Sequence, residues 1–369
     1  MSKVNQDYKL PMEPNNDIWI NCIYNNLIAI LKIQNQSYGK LSYSLSRNYS
    51  IYQFKNKFNA PEVEMKIFGE GIFVPEVLTQ IPKIQELFDI VEVEYWNFPS
   101  VHEAIMTYLK MGYYLFVDLD RFYFPGGIEY NVRRFIHPSF VYGYNRDLRK
   151  YYMIEDCTKP RVLNYYELSH DQLEVAFDEI RRKGEGLYSK TGIKAYKLIS
   201  TTEYKYKITK NDVITNLENL LTESQDDSSE LCKLYDLNRI YGLNCIRQFS
   251  SAITDLFPRI SSQNIVIHYA LASFPLDFQK SNLILVDILF NEGLLSEKAC
   301  LHLREQYIAL SQLWTRYRNN IFYYIQKKEI NPDEPIDPSY FLPLSTLLNE
   351  IYHKETLVTQ YFLETLQSS

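Results

Sequence analysis

The chain contains 369 residues, of which 46% are apolar and 23% are charged, so it is long enough for two domains of ordinary size. This composition provides the material for a hydrophobic core and excludes an intrinsically disordered chain. The formal net charge of -6 argues against a general nucleic-acid-binding protein, because such proteins usually carry an excess of basic residues.

The amino-terminal segment, the apolar runs and the cysteines bear on the cellular compartment. The amino-terminal residues 1–17 are polar and lack a basic segment followed by an apolar run, so the sequence predicts no secretory signal. No apolar run approaches the roughly 18 residues that a membrane-spanning helix needs. The five cysteines are widely spaced and odd in number, which indicates neither a disulfide framework nor a zinc site. We therefore expect a cytoplasmic protein with reduced thiols.

The distribution of glycine predicts two domains. Ten of the twelve glycines lie before residue 193, and only Gly242 and Gly293 follow it. Because glycine serves tight turns, a glycine-poor segment favours long helices with few turns. We predict a domain of the α+β class in residues 1–200 and an all-α helical bundle in residues 201–369.

In the first predicted domain, apolar residues recur with the helical period over residues 18–33, and again over residues 101–111 and 170–183. Short runs with strand-like composition are separated by turn residues. These predicted strands comprise residues 71–74, 90–95, 113–117, 139–144, 151–154 and 195–199.

In the second predicted domain, Ser296 is an N-cap candidate for a helix over residues 296–328. Asp337 and Pro338 begin a last helix that ends near Leu366. Residues 225–230 are polar and acidic, which predicts an exposed loop. The long helix carries an apolar stripe with heptad-like spacing, typical of a bundle core, at Leu303, Tyr307, Leu310, Trp314, Tyr317, Ile321 and Tyr324.

The common metal, phosphate and hydrolase motifs are missing from the sequence. It contains no HExxH, no glycine-rich phosphate loop and no GxSxG elbow, so we predict no metal and no bound cofactor. Asp118 and Asp120 lie on one face of a predicted strand end. They suit a cation site, but a solvated strand end explains them equally simply, and we favour that interpretation.

Cys22 is the candidate nucleophile, because it lies near the start of the first predicted helix. The amide dipoles of a helix N-terminus stabilise a thiolate, which lowers the pKa of a thiol there. The alternative is that Cys22 is a small buried apolar residue. Cys157 is a rival thiol that we rank lower, because neighbouring strand residues face opposite sides of a sheet and Asp156 adjoins it.

His137 and Asp156 are candidate partners of this thiol. His137 opens a predicted strand, and Asp156 follows the next strand after a polar turn. In an antiparallel hairpin the start of one strand lies beside the end of the next, which brings these two side chains together. A carboxylate in that place fixes the imidazole tautomer while the other ring nitrogen faces the nucleophile. His170, at the start of a predicted helix, is expected to be a surface residue.

Four short segments follow one another in the first predicted domain. They are residues 21–31, which contain Asn21-Cys22; residues 113–118, a predicted strand; residues 137–145, which begin with His137-Pro138; and residues 154–156, which end in Glu155-Asp156. They resemble the family named for the amino-terminal domain of butirosin biosynthesis protein H, which is similar to the papain-like peptidases that trim double-glycine leaders. The resemblance covers roughly residues 15–160. It implies a papain-like cysteine-protease-type domain that moves an acyl or peptidyl group from a carrier-protein thioester to an amine in specialised metabolism, including nonribosomal peptide and antibiotic pathways.

The resemblance also implies roles for particular residues. Cys22 would be the nucleophile, His137 the general base and Asp156 the orienting carboxylate. Papain-like enzymes usually carry glutamine before the cysteine as oxyanion donor, and here Asn16 takes that place. The donor would be the phosphopantetheine arm of an acyl or peptidyl carrier protein, and the acceptor a small amine.

The sequence leaves the partner surfaces and two other functions open. Carrier proteins are usually acidic, so Arg133 and Arg134, just before His137, are candidates for carrier docking. The helical domain would support the carrier, shape the acceptor site or form a homodimer. The same three residues also suit a cysteine hydrolase (a peptidase or thioesterase) or a non-catalytic carrier-binding scaffold, and the missing glutamine favours the scaffold.

Overall fold

A computed structural model describes residues 7–54, 73–77, 84–183, 189–199, 206–228, 232–233, 237–256, 265–330 and 338–368. The chain divides into two compact units. The first comprises Met1–Ser42 and Gln80–Lys207, and the second comprises Tyr43–Thr79 and Ile208–Ser369. The predicted division at residue 200 therefore differs from the observed one, because the strand Arg47–Phe54 pairs with the strand Leu237–Tyr241 of the second unit.

The secondary structure combines helices and strands and ends in a helical region, which confirms the α+β class at that level. Within the described residues, the strands are β1 (Asp7–Lys9), β2 (Arg47–Phe54), β3 (Phe73–Val77), β4 (Phe88–Glu92), β5 (Tyr114–Asp120), β6 (Ile136–Asn145), β7 (Lys150–Glu155), β8 (Asn164–Ser169), β9 (Ile193–Leu198), β10 (Ser224–Asp226) and β11 (Leu237–Tyr241). The helices longer than two turns are α1 (Cys22–Gln34), α2 (Val101–Lys110), α3 (His170–Lys183), α4 (Lys210–Leu221), α5 (Asn244–Leu256), α6 (Ile265–Asn291), α7 (Glu297–Ile330) and α8 (Leu342–Ser368).

The first unit is built on an antiparallel sheet with the strand order β4-β9-β5-β6-β7-β8, and β1 pairs with β6. The predicted hairpin is present, since Asn145 of β6 pairs with Lys150 of β7 across the turn. Helices α1, α2 and α3 pack against this sheet. Strand β5 is buried along its whole length, and alternate side chains enter the core of the unit.

Gly143 allows β1 to approach the sheet. Strand β6 contains a register shift between Val141 and Gly143, and β1 lies against this point. A Cβ atom at Gly143 would lie 2.5 Å from the carbonyl oxygen of Tyr8, so only glycine fits there.

The second unit contains a four-stranded antiparallel sheet with the order β10-β11-β2-β3, together with helices α4 to α8. The predictions of an all-α domain and of a loop at residues 225–230 are therefore wrong where β10 and β11 lie; residues 229–230 are outside the described part. The predicted stripe on α7 is confirmed as core, because all seven of its side chains are buried: Leu303, Tyr307, Leu310, Trp314, Tyr317, Ile321 and Tyr324.

The lengths and apolar content of the helices bear on membrane insertion. Across the part of the chain that the structure describes, none of the helices combines the length and the apolar character required to cross a bilayer.

Candidate thiol site

Cys22 is the first residue of α1, and the segment before it is fixed by side-chain hydrogen bonds. The Asn21 side chain caps the helix by accepting a hydrogen bond from the Tyr24 amide at 2.8 Å. The buried Asn25 side chain donates to the carbonyl oxygens of Asn15 and Ile18, both at 2.8 Å, and accepts from the amide of residue 20 at 2.9 Å. The apolar period suggested a helix from residue 18, but these bonds hold residues 15–20 as a loop. The half-buried Cys22 therefore has a defined position at a helix N-terminus.

The other candidate side chains lie at one edge of the sheet. His137 stands opposite Leu119 in the β5–β6 ladder, so the end of β5 lies beside the start of β6. The end of β7, Glu155 followed by Asp156, reaches the same edge. Helix α1 packs against β6. Three strand ends and a helix N-terminus thus contribute to this site.

Arg121 is the centre of the cluster, and the sequence analysis did not identify it. It follows β5 directly, and its side chain is only 5% exposed. Its Nη2 atom donates to Glu155 Oε2 and to Asp156 Oδ1, both at 2.5 Å, and lies 3.3 Å from Nε2 of His137. One buried cation therefore joins both carboxylates and the imidazole.

The contact with Arg121 favours one tautomer of His137. A guanidinium has only N–H donors, so the contact suits the tautomer in which Nε2 is unprotonated and the ring proton is on Nδ1. Nδ1 faces Oε2 of Glu155 at 3.6 Å. In this tautomer Nδ1–H points toward a carboxylate and the Nε2 lone pair points toward Arg121.

The carboxylate beside His137 belongs to Glu155, whereas the sequence analysis assigned this place to Asp156. Asp156 Oδ1 accepts from Arg121, and Oδ2 accepts from the Arg161 amide at 3.1 Å. Asp156 therefore anchors the guanidinium and the following loop. The register of the hairpin explains the difference, because Glu155 is the last ladder residue of β7 and Asp156 already belongs to the turn beyond it.

The pKa of the Cys22 thiol is raised well above its usual range, contrary to the sequence expectation. Burial is the largest cause, and the charges of Asp156 and Glu155 act in the same direction. Arg121 and the backbone amide of Ile23 oppose the shift. The helix N-terminus is present, but burial and two carboxylates outweigh it, so the resting thiol is protonated.

The remaining groups of the cluster have defined charges. Burial and the neighbouring Arg121 charge hold the pKa of His137 well below its usual range, so the imidazole is neutral at pH 7. Burial opposes the charge of Arg121, but Glu155 and Asp156 outweigh it and raise the guanidinium pKa. Burial also raises the pKa of Glu155, and Arg121 counteracts this. At rest the site combines a neutral thiol, a neutral imidazole and a permanent cation.

Asn16 has a structural role that the sequence analysis did not anticipate. Its amide nitrogen donates to the carbonyl oxygen of Leu163 at 2.9 Å, and its oxygen accepts from the Leu163 amide at 2.8 Å. These two bonds imitate a strand pair and fasten the loop before Cys22 to the segment before β8. They commit the side chain to the Leu163 backbone, away from the predicted oxyanion role.

The two arginines predicted for carrier docking already have acidic partners. Arg133 pairs with Glu129 at 3.4 Å, and its guanidinium carbon lies 5.7 Å from the ring centroid of Phe135. Arg134 pairs with Asp120 and with Glu179. The local positive charge is therefore partly neutralised within the chain itself.

Two further expectations about acidic and histidine residues are wrong. Asp118 and Asp120 are buried, not solvated; Oδ1 of Asp120 accepts from the amides of residues 122 and 135 and shapes the chain that leaves β5. His170 is 7% exposed and stacks on His102 and Tyr151, with ring centroids 4.6 and 4.7 Å away.

Cys157 is the thiol that the sequence analysis ranked below Cys22. Cys157 is buried in the core of the first unit, with its thiol pKa raised by burial to about 12, as expected for a structural thiol. Within the described residues, histidines, cysteines and carboxylates form no group of three or more that is suited to a metal ion.

The missed residues had a sequence signal. Arg121 directly follows a buried strand that pairs with the strand of His137, and Glu155 ends the strand on its other side. Considering all three strand ends together, instead of the hairpin alone, would have included both residues.

Comparisons with known proteins leave the family open. The sequence matches no protein-family model, and a search of curated proteins found no match.

Proposed function

We propose that the chain is a thiol acyltransferase with a papain-like first unit, which forms an acyl-enzyme on Cys22 and passes the acyl group to an amine. The observation that carries this proposal is a thiol at a helix N-terminus within electrostatic range of Arg121 and Glu155, the two groups that contact His137. The resemblance to the butirosin family supplies the substrate class, a carrier-protein thioester in specialised metabolism.

The chemistry follows from the charge states of the site. His137 Nε2 leaves its contact with Arg121 and takes the thiol proton as Cys22 Sγ attacks the thioester carbonyl. The new C–S bond displaces the carrier thiol, which leaves with that proton. An amine then attacks the acyl-enzyme and loses a proton to His137, which regenerates the Cys22 thiol. Because the resting thiol is neutral, the nucleophile forms only when the substrate is in place, which limits reaction with other electrophiles.

A second candidate function is a non-catalytic carrier-binding scaffold. The raised pKa of Cys22 favours it, because a protonated thiol is a poor nucleophile. A cysteine hydrolase uses the same acyl-enzyme and differs only in its acceptor, water in place of an amine.

The test is intact-protein mass spectrometry after exposure to acyl thioesters of N-acetylcysteamine. We expect one acyl adduct that is lost in Cys22→Ala, retained in the control Cys157→Ala, and formed at least tenfold more slowly in His137→Ala, as for a general base. Release of the acyl group by an added amine supports the transferase, and release by water alone indicates a hydrolase. A wild-type chain that forms no adduct with any of these thioesters supports the scaffold.

A further inference from the structure

The acyl-transfer proposal lacks one component, a donor for the oxyanion. When a thiolate adds to a carbonyl carbon, the carbonyl oxygen gains a negative charge that donors at 2.7–3.1 Å must stabilise. The sequence analysis assigned this role to Asn16, but both polar atoms of the Asn16 side chain are hydrogen-bonded to the backbone of Leu163. The backbone amides at the start of α1 remain, and they carry only partial charges.

Arg121 is buried, and only one of its three guanidinium nitrogens has hydrogen-bond partners within the described residues. Every side-chain hydrogen bond that it makes within the described residues comes from Nη2, which contacts Glu155, Asp156 and His137. Its Nε atom is buried without an acceptor. A buried N–H group without a partner is costly, and a charged one more so, which suggests that an acceptor from outside completes its hydrogen bonding.

Arg121 lies within electrostatic range of the thiol. Its charge acts on Cys22, since it favours the thiolate over the thiol. The oxyanion of a tetrahedral intermediate lies on the carbon bonded to Sγ, so a cation that stabilises charge on the sulfur also stabilises charge on this oxygen.

The two carboxylates hold Arg121 in place and leave some of its N–H donors without an acceptor. Glu155 and Asp156 both bind Nη2, which fixes the plane of the guanidinium and leaves its other nitrogens available. On one side the Phe135 ring, 40% exposed, lies 5.7 Å from the guanidinium carbon and stacks on His137. The cation is therefore preorganised beside the base, close to the solvent-exposed edge of the site.

From this arrangement we infer that Arg121 is a catalytic residue that donates from its free nitrogens to the oxyanion formed at Cys22. The inference rests on the proposed acyl transfer. The sulfur lone pair forms the new C–S bond, the carbonyl π electrons move to the oxygen beside Arg121, and they return as the carrier thiolate departs and is protonated.

The experiment compares two reactions of the same thiol. Acylation by hexanoyl-N-acetylcysteamine forms a tetrahedral oxyanion, whereas alkylation by chloroacetamide is a direct displacement that forms none. In Arg121→Gln we expect acylation to fall by about 10²–10³, the usual effect of losing an oxyanion donor. Alkylation should change by no more than about tenfold, through the thiol pKa alone. The control Arg304→Gln removes an arginine paired with Asp287 in the second unit and should change neither rate.

Each other outcome has a separate meaning. Equal losses in acylation and alkylation would overturn the assignment of Arg121, because they indicate a disturbed site or thiol. A wild-type chain that chloroacetamide alkylates at Cys22 but no thioester acylates would overturn the proposed function itself.

A measurement on the wild-type chain covers the case in which Arg121→Gln fails to fold. An alkyl trifluoromethyl ketone adds Cys22 Sγ to its carbonyl carbon, and ¹⁹F NMR follows ionisation of the resulting hydroxyl. With Arg121 as donor, this hydroxyl ionises at least one pH unit below the same adduct of free cysteine in water. Ionisation at the same pH or higher contradicts the inference.

Discussion

Cys22 has two carboxylates within electrostatic range, and they determine how the thiol responds to pH. Burial raises its pKa first, and Asp156 and Glu155 raise it further. Its alkylation rate should therefore keep rising with pH beyond the point at which free cysteine, with a pKa of about 8.5, reaches its plateau.

We predict that Glu155→Gln accelerates alkylation of Cys22 at pH 7 by about tenfold, which corresponds to roughly one pKa unit. The substitution removes a charge that disfavours the thiolate, and glutamine retains an acceptor oxygen for Nδ1 of His137. The measurement is the pH–rate profile with chloroacetamide. Glu167→Gln, on the exposed side of β8 and paired with Lys150, is the control and should leave the profile unchanged. A slower or unchanged reaction in Glu155→Gln would contradict the electrostatic account.

At the scale of single residues, the sequence predicted that Cys22, His137 and Asp156 lie together, but it did not predict which carboxylate faces the imidazole. Glu155 and Asp156 are adjacent and chemically alike, and only the end of the β7–β8 ladder decides which of them faces the imidazole. Arg121 was missed because it follows one strand while its partners lie on the next two, at His137 on β6 and at Glu155 and Asp156 at the end of β7.

Helix α1 depends on polar side chains as much as on its apolar face. Asn21 caps its first turn, while Asn25 supports the preceding loop with three buried hydrogen bonds. The periodicity of apolar residues placed the helix start four residues too early, because Ile18 and Ile20 are buried from the loop. The capping asparagine was the better indicator of the boundary.

We predict that Asn25→Ala lowers the free energy of unfolding by roughly 3 kcal/mol, because three buried backbone groups lose their partner. Asn21→Ala should cost about 1 kcal/mol, as for a typical N-cap. Chemical denaturation of the two variants side by side measures the difference. An Asn25→Ala cost equal to or below that of Asn21→Ala would mean that residues 15–20 do not need this support.

At the scale of the whole molecule, the two units carry buried groups with opposite responses to pH. In the first unit, His170 stacks on both His102 and Tyr151. Burial lowers its pKa to about 4; His102 and Arg149 act in the same direction, and Asp171 opposes them. In the second unit, Glu355 is buried in the bundle.

We predict that the first unit loses stability as the pH falls from 6.5 to about 4, by roughly 3 kcal/mol. In that range the unfolded chain binds a proton at His170 more readily than the folded chain does, so acid favours unfolding. His170→Phe keeps the ring stack and should flatten this acid limb in thermal unfolding measured between pH 4 and 8. His302→Phe, at an exposed histidine of α7, is the control and should keep the limb.

The second unit should respond in the opposite direction through Glu355. Its carboxylate accepts from the Tyr49 hydroxyl at 2.6 Å, from Gln279 Nε2 at 2.7 Å and from Trp314 Nε1 at 3.2 Å. Burial nevertheless raises its pKa from 4.5 to about 7. Folding thus favours the protonated acid, whose stabilisation is complete below pH 4.5 and is lost as the pH rises to 7.

We predict that wild type loses roughly 3 kcal/mol from this group between pH 4.5 and 7, and that Glu355→Gln removes the loss. Chemical denaturation at several pH values should show the variant to be the more stable protein above pH 7. Glu350→Gln, at an exposed position of the same helix, should behave like wild type. A Glu355→Gln chain that is less stable than wild type at pH 8 would show that the hydrogen bonds outweigh the buried charge.

Local patterns in the sequence determined most helices, six of the strands and the buried stripe of α7, because periodicity and capping act within a few neighbouring residues. The same patterns indicated a thiol, an imidazole and a carboxylate in the order of a papain-like site. The division into units and the centre of the site were decided by tertiary structure. Strand β2 joins the second unit by pairing with β11, and Arg121 reaches Glu155, Asp156 and His137 across three strands. Both depend on contacts between residues far apart in the chain, and burial at those contacts, rather than residue type, sets the charge of each group.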